Sequence, residues 1–482
     1  MLESTSMENE PGILPRPTDH GGERLASLNE VGPGNTGLCP PNLMMGGLEM
    51  PLMSVEEGDA EISSFMPPAE LKPPRAEEVY LVDSYFSTYH LSHPFVDEDT
   101  FRRVHQSNLP GSQTIAWQVL CKALMAMGAW CQCDSTCEVD ISLYLQAERT
   151  LRQLPITDPG DLTLIQALLL LSDFAQKRGL PEAGMQYLGI AVQKAVALGL
   201  HREQPQPTAD MLEQEMKRRV WWSLYVFDSC AAKSYGRPLM LPDDSFMNVK
   251  PPLNIAPEDL RLQNNHVPVE TDGPTIYSGL IAQATFHSMA NRIYRHLVIN
   301  SPVSLEQVIQ LERQVDEWQT RYPPYVRQQP SADDPVWLRL VKDRLAICDK
   351  NLRLLILRPF LMRWATLQEA QAGFHPARVD VDAECAVRCV TTASDIMAMV
   401  LERLEQPGYP RLGVSFLLYC LFHGILIHVC FLKSGSALPD GLQFSKDLSR
   451  TRNVMSDSWL RADPQSAHWL NVIQNLCVPL DA

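Results

Sequence analysis

GMQYLGIAVQKAVALG, residues 184–199, carries the clearest periodicity in the chain. Met185, Leu188, Val192, Ala195 and Gly199 recur at spacings of three and four, which lays one apolar stripe along an α-helix. Gly199, set between Leu198 and Leu200, suits the left-handed conformation that closes a helix C-terminus, so this helix ends there.

The same signals repeat on both sides. Asp210 can cap free backbone amides, with Glu213 three residues on placed to bond back, and the helix they open has the apolar face Leu212, Met216, Val220, Leu224, Phe227 and Ala231. Ser304 and Gln307 form a second capping box, Val303 and Val308 are spaced as a hydrophobic staple, and this helix stops before Pro323 and Pro324. Further helices are predicted near 78–91, 114–130, 161–177, 275–297, 336–358, 382–404 and 414–432, with almost no strand-like alternation. Residues 161–177 and 184–199 read as one helical hairpin, but no second copy follows at a fixed period, so a tandem array is not supported. Residues 238–272 hold Pro238, Pro242, Pro251, Pro252 and Pro257, too dense for a helix, and read as a connector.

The predicted class is therefore all-α: a large irregular multi-helix domain over residues 77–480, preceded by a disordered acidic tail over 1–76. That tail has 12 acidic and four basic residues, half of the chain's net charge of −16. Its glycine and proline clusters, such as GPGNTGLCPPN at 32–42, cannot sustain helix or strand. Within it Met44, Met45, Leu48, Met50, Leu52 and Met53 precede Glu56, Glu57, Asp59 and Glu61. Acidic residues interleaved with soft hydrophobes are the composition of segments that fold onto a partner's groove.

Bulk properties narrow the function classes. Hydrophobic residues make up 45% and charged residues 20% of 482, ordinary for a globular protein and enough for more than one core. A pI near 5.2 offers no electrostatic footprint for nucleic acid over the whole chain. The polar, acidic start MLESTSMENE lacks the pattern of a signal peptide, and 12 scattered cysteines then read as free thiols in a reducing compartment. Residues 414–432 form an apolar run of 19, about membrane-spanning length. His423, His428 and Ser415 within it favour a core helix buried on all sides, and no membrane is expected.

The residues that could carry chemistry are few. Cys131, Cys133 and Cys137 lie close together, but no two cysteines in the chain are separated by two residues, as structural zinc sites usually require. Cys385, Cys389, Cys420 and Cys430 read as buried small hydrophobes. His90 and His93 with Asp97, Glu98 and Asp99 could serve acid-base chemistry. Yet His93 precedes Pro94 in what reads as a turn, and the acids suit a helix start near Thr100. Phosphate-cradling loops, zinc-protease helices and serine elbows are missing, and Asp243-Asp244 sits in the connector without the helical partner motif an isoprenoid synthase needs. No catalytic, metal or cofactor site is expected. The densest feature is MKRRVWWSLYVFDS, residues 216–229. Three cations are too few for a phosphate track, and Glu215 lies one turn from Arg219, so ion pairing on a solvated or half-buried face is the better account. Trp221 and Trp222 point about 100° apart, one to the core and one over a neighbouring helix or loop.

These landmarks, in order, resemble the fungal-specific transcription factor domain, the middle homology region of fungal zinc-cluster regulators. YLVDSYFSTYHLSHPFVDEDTFRR (80–103) is similar to its opening helix and turn, and AVALGLHRE (195–203) to a helix ending in Gly-Leu-His-Arg. MKRRVWWSLYVFDS followed by YGRPLMLPDD (235–244) resembles its central signature, carried here by Arg219, Trp222, Asp228, Gly236, Arg237 and Pro238. LLILRPF (354–360) and CAVRCVTTASDI (385–396) extend the likeness to about residues 78–475. One departure is Ser229, where family members often place arginine. The resemblance implies a nuclear regulator of metabolic or biosynthetic genes, with these residues structural. Its partners would be the transcription machinery or another DNA-binding factor, DNA, and a small-molecule effector. It also implies zinc, held upstream by six cysteines, yet residues 1–77 contain only Cys39, so they cannot build that cluster. A cytosolic helical scaffold for other proteins is the alternative.

Overall fold

Helices begin where the sequence offers a cap and close where it offers a glycine. A computed structural model describes residues 74–106, 114–132, 138–155, 157–203, 211–262, 269–299, 303–370, 376–406, 408–433, 441–456, 460 and 470–475. The tail, its cysteine and Asp210 lie outside them, as do Cys133 and Cys137. Among the described residues every regular element is helical.

The first half comprises α1 (Arg75–Ser87), α2 (Glu98–Gln106), α3 (Ile115–Gln132), α4 (Val139–Leu151), α5 (Leu162–Lys177), α6 (Pro181–Ala197) and α7 (Met211–Tyr235). Asp161 caps α5 by accepting the Leu164 amide at 2.8 Å. Gly199 closes α6 at φ 73°, where the Leu200 amide returns to the Ala195 carbonyl. The expected hairpin is thus formed by α5 and α6, which pack together. α3 lies against α1, α4 and α5, and its Gly128 lets α1 approach so closely that a Cβ would stand 2.0 Å from the Leu81 carbonyl oxygen. Tyr85, Phe95, Phe101, Trp130, Phe174 and Trp221 fill this core.

After α8 (Pro257–Leu262), the second half comprises α9 (Ser278–Ile299), α10 (Leu305–Thr320), α11 (Pro324–Arg327), α12 (Val336–Ala370), α13 (Pro376–Leu404), α14 (Arg411–Lys433) and α15 (Gly441–Met455). The capping box at Ser304 and Gln307 forms in full, and Val303 and Val308 are both buried. α14 is long and apolar enough to cross a membrane, and protein covers it: Leu418, Cys420, Leu421 and Ile425 are inaccessible to solvent. Its histidines are accommodated by hydrogen bonds, as expected of a core helix. His428 reaches the Gly424 carbonyl at 2.7 Å and Ser394 Oγ at 2.9 Å, and His423 reaches the Tyr419 carbonyl at 2.8 Å.

Two cores result, and α9 serves both: Leu280 and Ala284 belong to the first, Phe286, Met289 and Ile293 to the second. Arg411 at the start of α14 ties them again, donating to the Trp130 carbonyl at 2.5 Å with its guanidinium 4.5 Å above the indole.

Four readings change. α12 runs through Pro359 to Ala370, although a proline removes one helical bond and costs about 3 kcal/mol. Ile356, Leu357, Phe360 and Leu361 flank it fully buried, and that packing offsets the break. α4 and α15 form where no helix was predicted. The connector is ordered over 238–262 and includes a single turn at Asp244–Phe246 and α8, whose Pro257 occupies the first helical position, where a missing N–H costs nothing. Arg219 and Glu215 are buried at 1% exposure, not on a solvated face, because the connector folds across them.

Candidate functional site

The connector has no ladder or helix over residues 238–253 apart from that single turn, so its amides must find other acceptors. Three carboxylates supply them. Glu203 accepts the Lys250 amide at 3.0 Å, Glu215 accepts Leu253 at 2.9 Å, and Asp228 accepts both Met240 (3.0 Å) and Leu241 (2.9 Å). Trp222 completes the clamp by donating its indole N–H to the Lys250 carbonyl at 2.8 Å, while Trp221 is fully buried in the first core.

The cations of residues 217–219 neutralise Glu203 and Glu215, and with them Glu213. Arg219 bonds Glu215 at 3.0 Å, and its guanidinium carbon lies 3.4 Å from the centre of the Tyr277 ring, a cation–π stack on a residue just before α9. Arg218 pairs with Glu203, and Lys217 with Glu213 at 2.7 Å. Burial pushes the Glu215 and Asp228 carboxyls up, against the pull of Arg219 on one and of the connector amides on the other.

Gly236 takes φ 62°, allowing the Arg237 amide to return to the Ala232 carbonyl at 2.9 Å and close α7. Pro238 then fixes the departing bend. Arg237 pairs with Glu182 at the start of α6 at 2.5 Å, and its carbonyl accepts the Tyr294 hydroxyl at 3.1 Å. All six signature residues thus belong to one arrangement that folds the connector back over α7. Replacing Asp228 by alanine is expected to cost about 1–3 kcal/mol in urea unfolding, because two amides lose a buried anionic acceptor. Asp228→Asn, which keeps one acceptor oxygen, should lose less; equal losses would mean the amides are not the cause.

Ser229 forms no ion pair. Its Oγ lies 2.7 Å from His287 Nδ1 and bonds Asn291 Oδ1, and Lys233 donates to both Ser229 and Asn291, the latter at 2.9 Å. This group links α7 to α9. Sequence spacing could not reveal it, because Ser229 and Asn291 are 62 residues apart.

The other candidates do not assemble. His90 packs on Phe86 and His93 stacks on Tyr89 at 4.6 Å, while Asp97 caps α2 at the Thr100 amide. Cys385, Cys389 and Cys420 are buried, whereas Cys430, also expected to be, is half-buried. Among the described residues no group of three potential metal ligands comes together.

Residues 82–320 match the fungal specific transcription factor domain. The chain is similar to a lactose regulatory protein of Kluyveromyces lactis, 25% identical over 268 residues, 55% of this chain and 29% of that protein. An ABC-transporter-regulating transcription factor of Aspergillus fumigatus is 24% identical over 265 residues, 52% of this chain and 29% of the relative. Activator of stress genes 1 of Saccharomyces cerevisiae is 24% identical over 224 residues, 45% and 23% of the two chains. The chain spans less than a third of the length of each. The matched region contains the whole of the α7 clamp, which therefore lies in the part of the chain that resembles the fungal specific transcription factor domain.

Proposed function

We propose that the chain is a nuclear transcription regulator of metabolic or biosynthetic genes, that it is not an enzyme, and that sequence-specific DNA reading lies outside its helical domain. The family match over residues 82–320 carries the reading. The charge supports the division of labour. A net −16 is unfavourable on DNA, and the densest cations, Lys217 to Arg219, are occupied by Glu213, Glu203 and Glu215. The transcription machinery is the partner expected for the acidic, methionine-rich segment.

A tagged chain should be nuclear, and its deletion should change transcripts. The purified chain should bind duplex DNA at physiological salt no better than an unrelated acidic protein. Tight, sequence-specific binding would overturn the division of labour. Nuclear exclusion with unchanged transcripts would favour a cytosolic scaffold.

A further inference from the structure

Ser223 and Gln283 are both enclosed, at 2% and 8% exposure, and Ser223 Oγ and Gln283 Nε2 have no hydrogen-bond partner among the described residues. Both line one cavity of about 50 Å³ at the junction of the two cores, walled by α7, α9, α12, α14 and the turn after α1. His93 and Arg344 stand in the same wall, but each is served elsewhere, His93 by the Tyr89 carbonyl and Arg344 by the Cys230 thiol and Asp173. Ser223 and Gln283 are therefore the two that want a partner, and both are neutral. A buried polar group without a hydrogen bond costs the desolvation it has undergone and regains nothing for it, which points to a polar guest in the cavity.

We propose that this cavity is a built water site, holding a small cluster of ordered waters that accept from the Gln283 amide and bond the Ser223 hydroxyl. Size selects the guest. At ~10–15 Å³ of such space per water, the cavity takes about three to five waters, and it is far below the ~300–1,000 Å³ of sites for organic ligands. The chemistry agrees. A water both donates and accepts, so it suits a hydroxyl, which can do either, and an amide N–H, which only donates. Val226, Leu280, Val341 and Leu417 supply apolar wall, so the cluster is anchored at Ser223 and Gln283 and its members complete their bonds with one another.

The location gives the waters a structural task. Gln283 Oε1 lies 3.2 Å from His287 Nε2, and His287 Nδ1 lies 2.7 Å from Ser229 Oγ, in the group that links α7 to α9. Through Gln283 the cluster extends that polar link towards the walls that α12 and α14 contribute, where the first core meets the second. Hydration of the junction is independent of the regulatory role, and its measurement on the purified full-length chain needs no transcription assay.

Oxygen-17 relaxation dispersion of the chain counts its long-lived internal waters. Ser223→Ala combined with Gln283→Met, which roughly keeps the bulk of the wall and removes both anchors, should lose about three to five of them relative to the wild type. Xenon, which enters dry apolar cavities, should stay out of the wild-type cavity. A crystal structure of the wild type that shows ordered solvent should place waters within hydrogen-bond distance of Ser223 Oγ and of the Gln283 amide. The xenon and crystal arms require no variant, so they decide the matter if the double variant does not fold. The proposal fails if the double variant folds and holds as many internal waters as the wild type, if xenon enters the wild-type cavity, or if the crystal shows no solvent at Ser223 and Gln283.

Discussion

As the pH falls below about 6, three buried rings are expected to withdraw together about 4 kcal/mol of stability per pH unit from the folded chain. The cause is three histidines buried as neutral rings. Burial, the largest influence on each, holds His90 and His93 down to about 3 and His423 down to about 4. Arg219 near His90, and Arg344 and Lys177 near His93, oppose an added positive charge as well. An unfolded histidine takes up its proton near pH 6.5, so between that value and the folded one the unfolded chain binds protons that the folded chain refuses. Stability from this source is complete above pH 6.5 and is lost as the pH falls, at about 1.4 kcal/mol per unit for each ring. His287, also buried and held low, acts in the same direction. Asp140, Glu215, Asp228, Asp343 and Asp349 act oppositely, because burial raises them and the folded chain protonates them more readily than the unfolded one. One variant separates the two groups. His90→Leu removes a titrating ring whose Nδ1 has no partner, and it should flatten the dependence of urea stability on pH by about 1.4 kcal/mol per unit between pH 6 and 4. An unchanged slope in that variant would reject the histidine account.

The helices were legible because their signals are local. The stripe from Met185 to Ala195, the glycine at 199 and the box at Ser304 all act within a turn or two, and each produces the predicted element. α14 was legible as a core helix because buried His423 and His428 need acceptors that protein supplies and lipid does not. Where the reading failed, the deciding partner was remote. The charges of residues 215–219 looked like a surface network because nothing local says that Leu253 will lie across Glu215, 38 residues on. Pro359 looked like a stop because the burial of Ile356 and Phe360 depends on helices far along the chain. The cavity between the cores was invisible for the same reason, since Ser223, Gln283 and Val341 are brought together only by the packing of three separate helices.

Removing the Glu215 side chain should be among the most damaging single changes in the molecule, costing about 3–5 kcal/mol. Glu215→Ala strands a guanidinium that is 1% exposed and leaves the Leu253 amide without its acceptor. The face of Tyr277 remains under Arg219, but a ring quadrupole offsets only part of a buried charge, about 0.5–2 kcal/mol. The strength of the ion pair is not the main reason for the loss. Taking both ions from water costs several kcal/mol each, so the pair itself contributes little net stability, and replacing both partners by apolar side chains of similar volume is often neutral. Glu215→Leu combined with Arg219→Met should therefore recover most of the loss, leaving about 1–3 kcal/mol for the orphaned Leu253 amide. Urea unfolding of the wild type, both single variants and the double variant tests this ordering. A double variant as unstable as Glu215→Ala would show that the pair holds the connector by attraction. Recovery would place its importance in geometry: once the chain has buried Arg219 beneath the connector, Glu215 must be there to meet it.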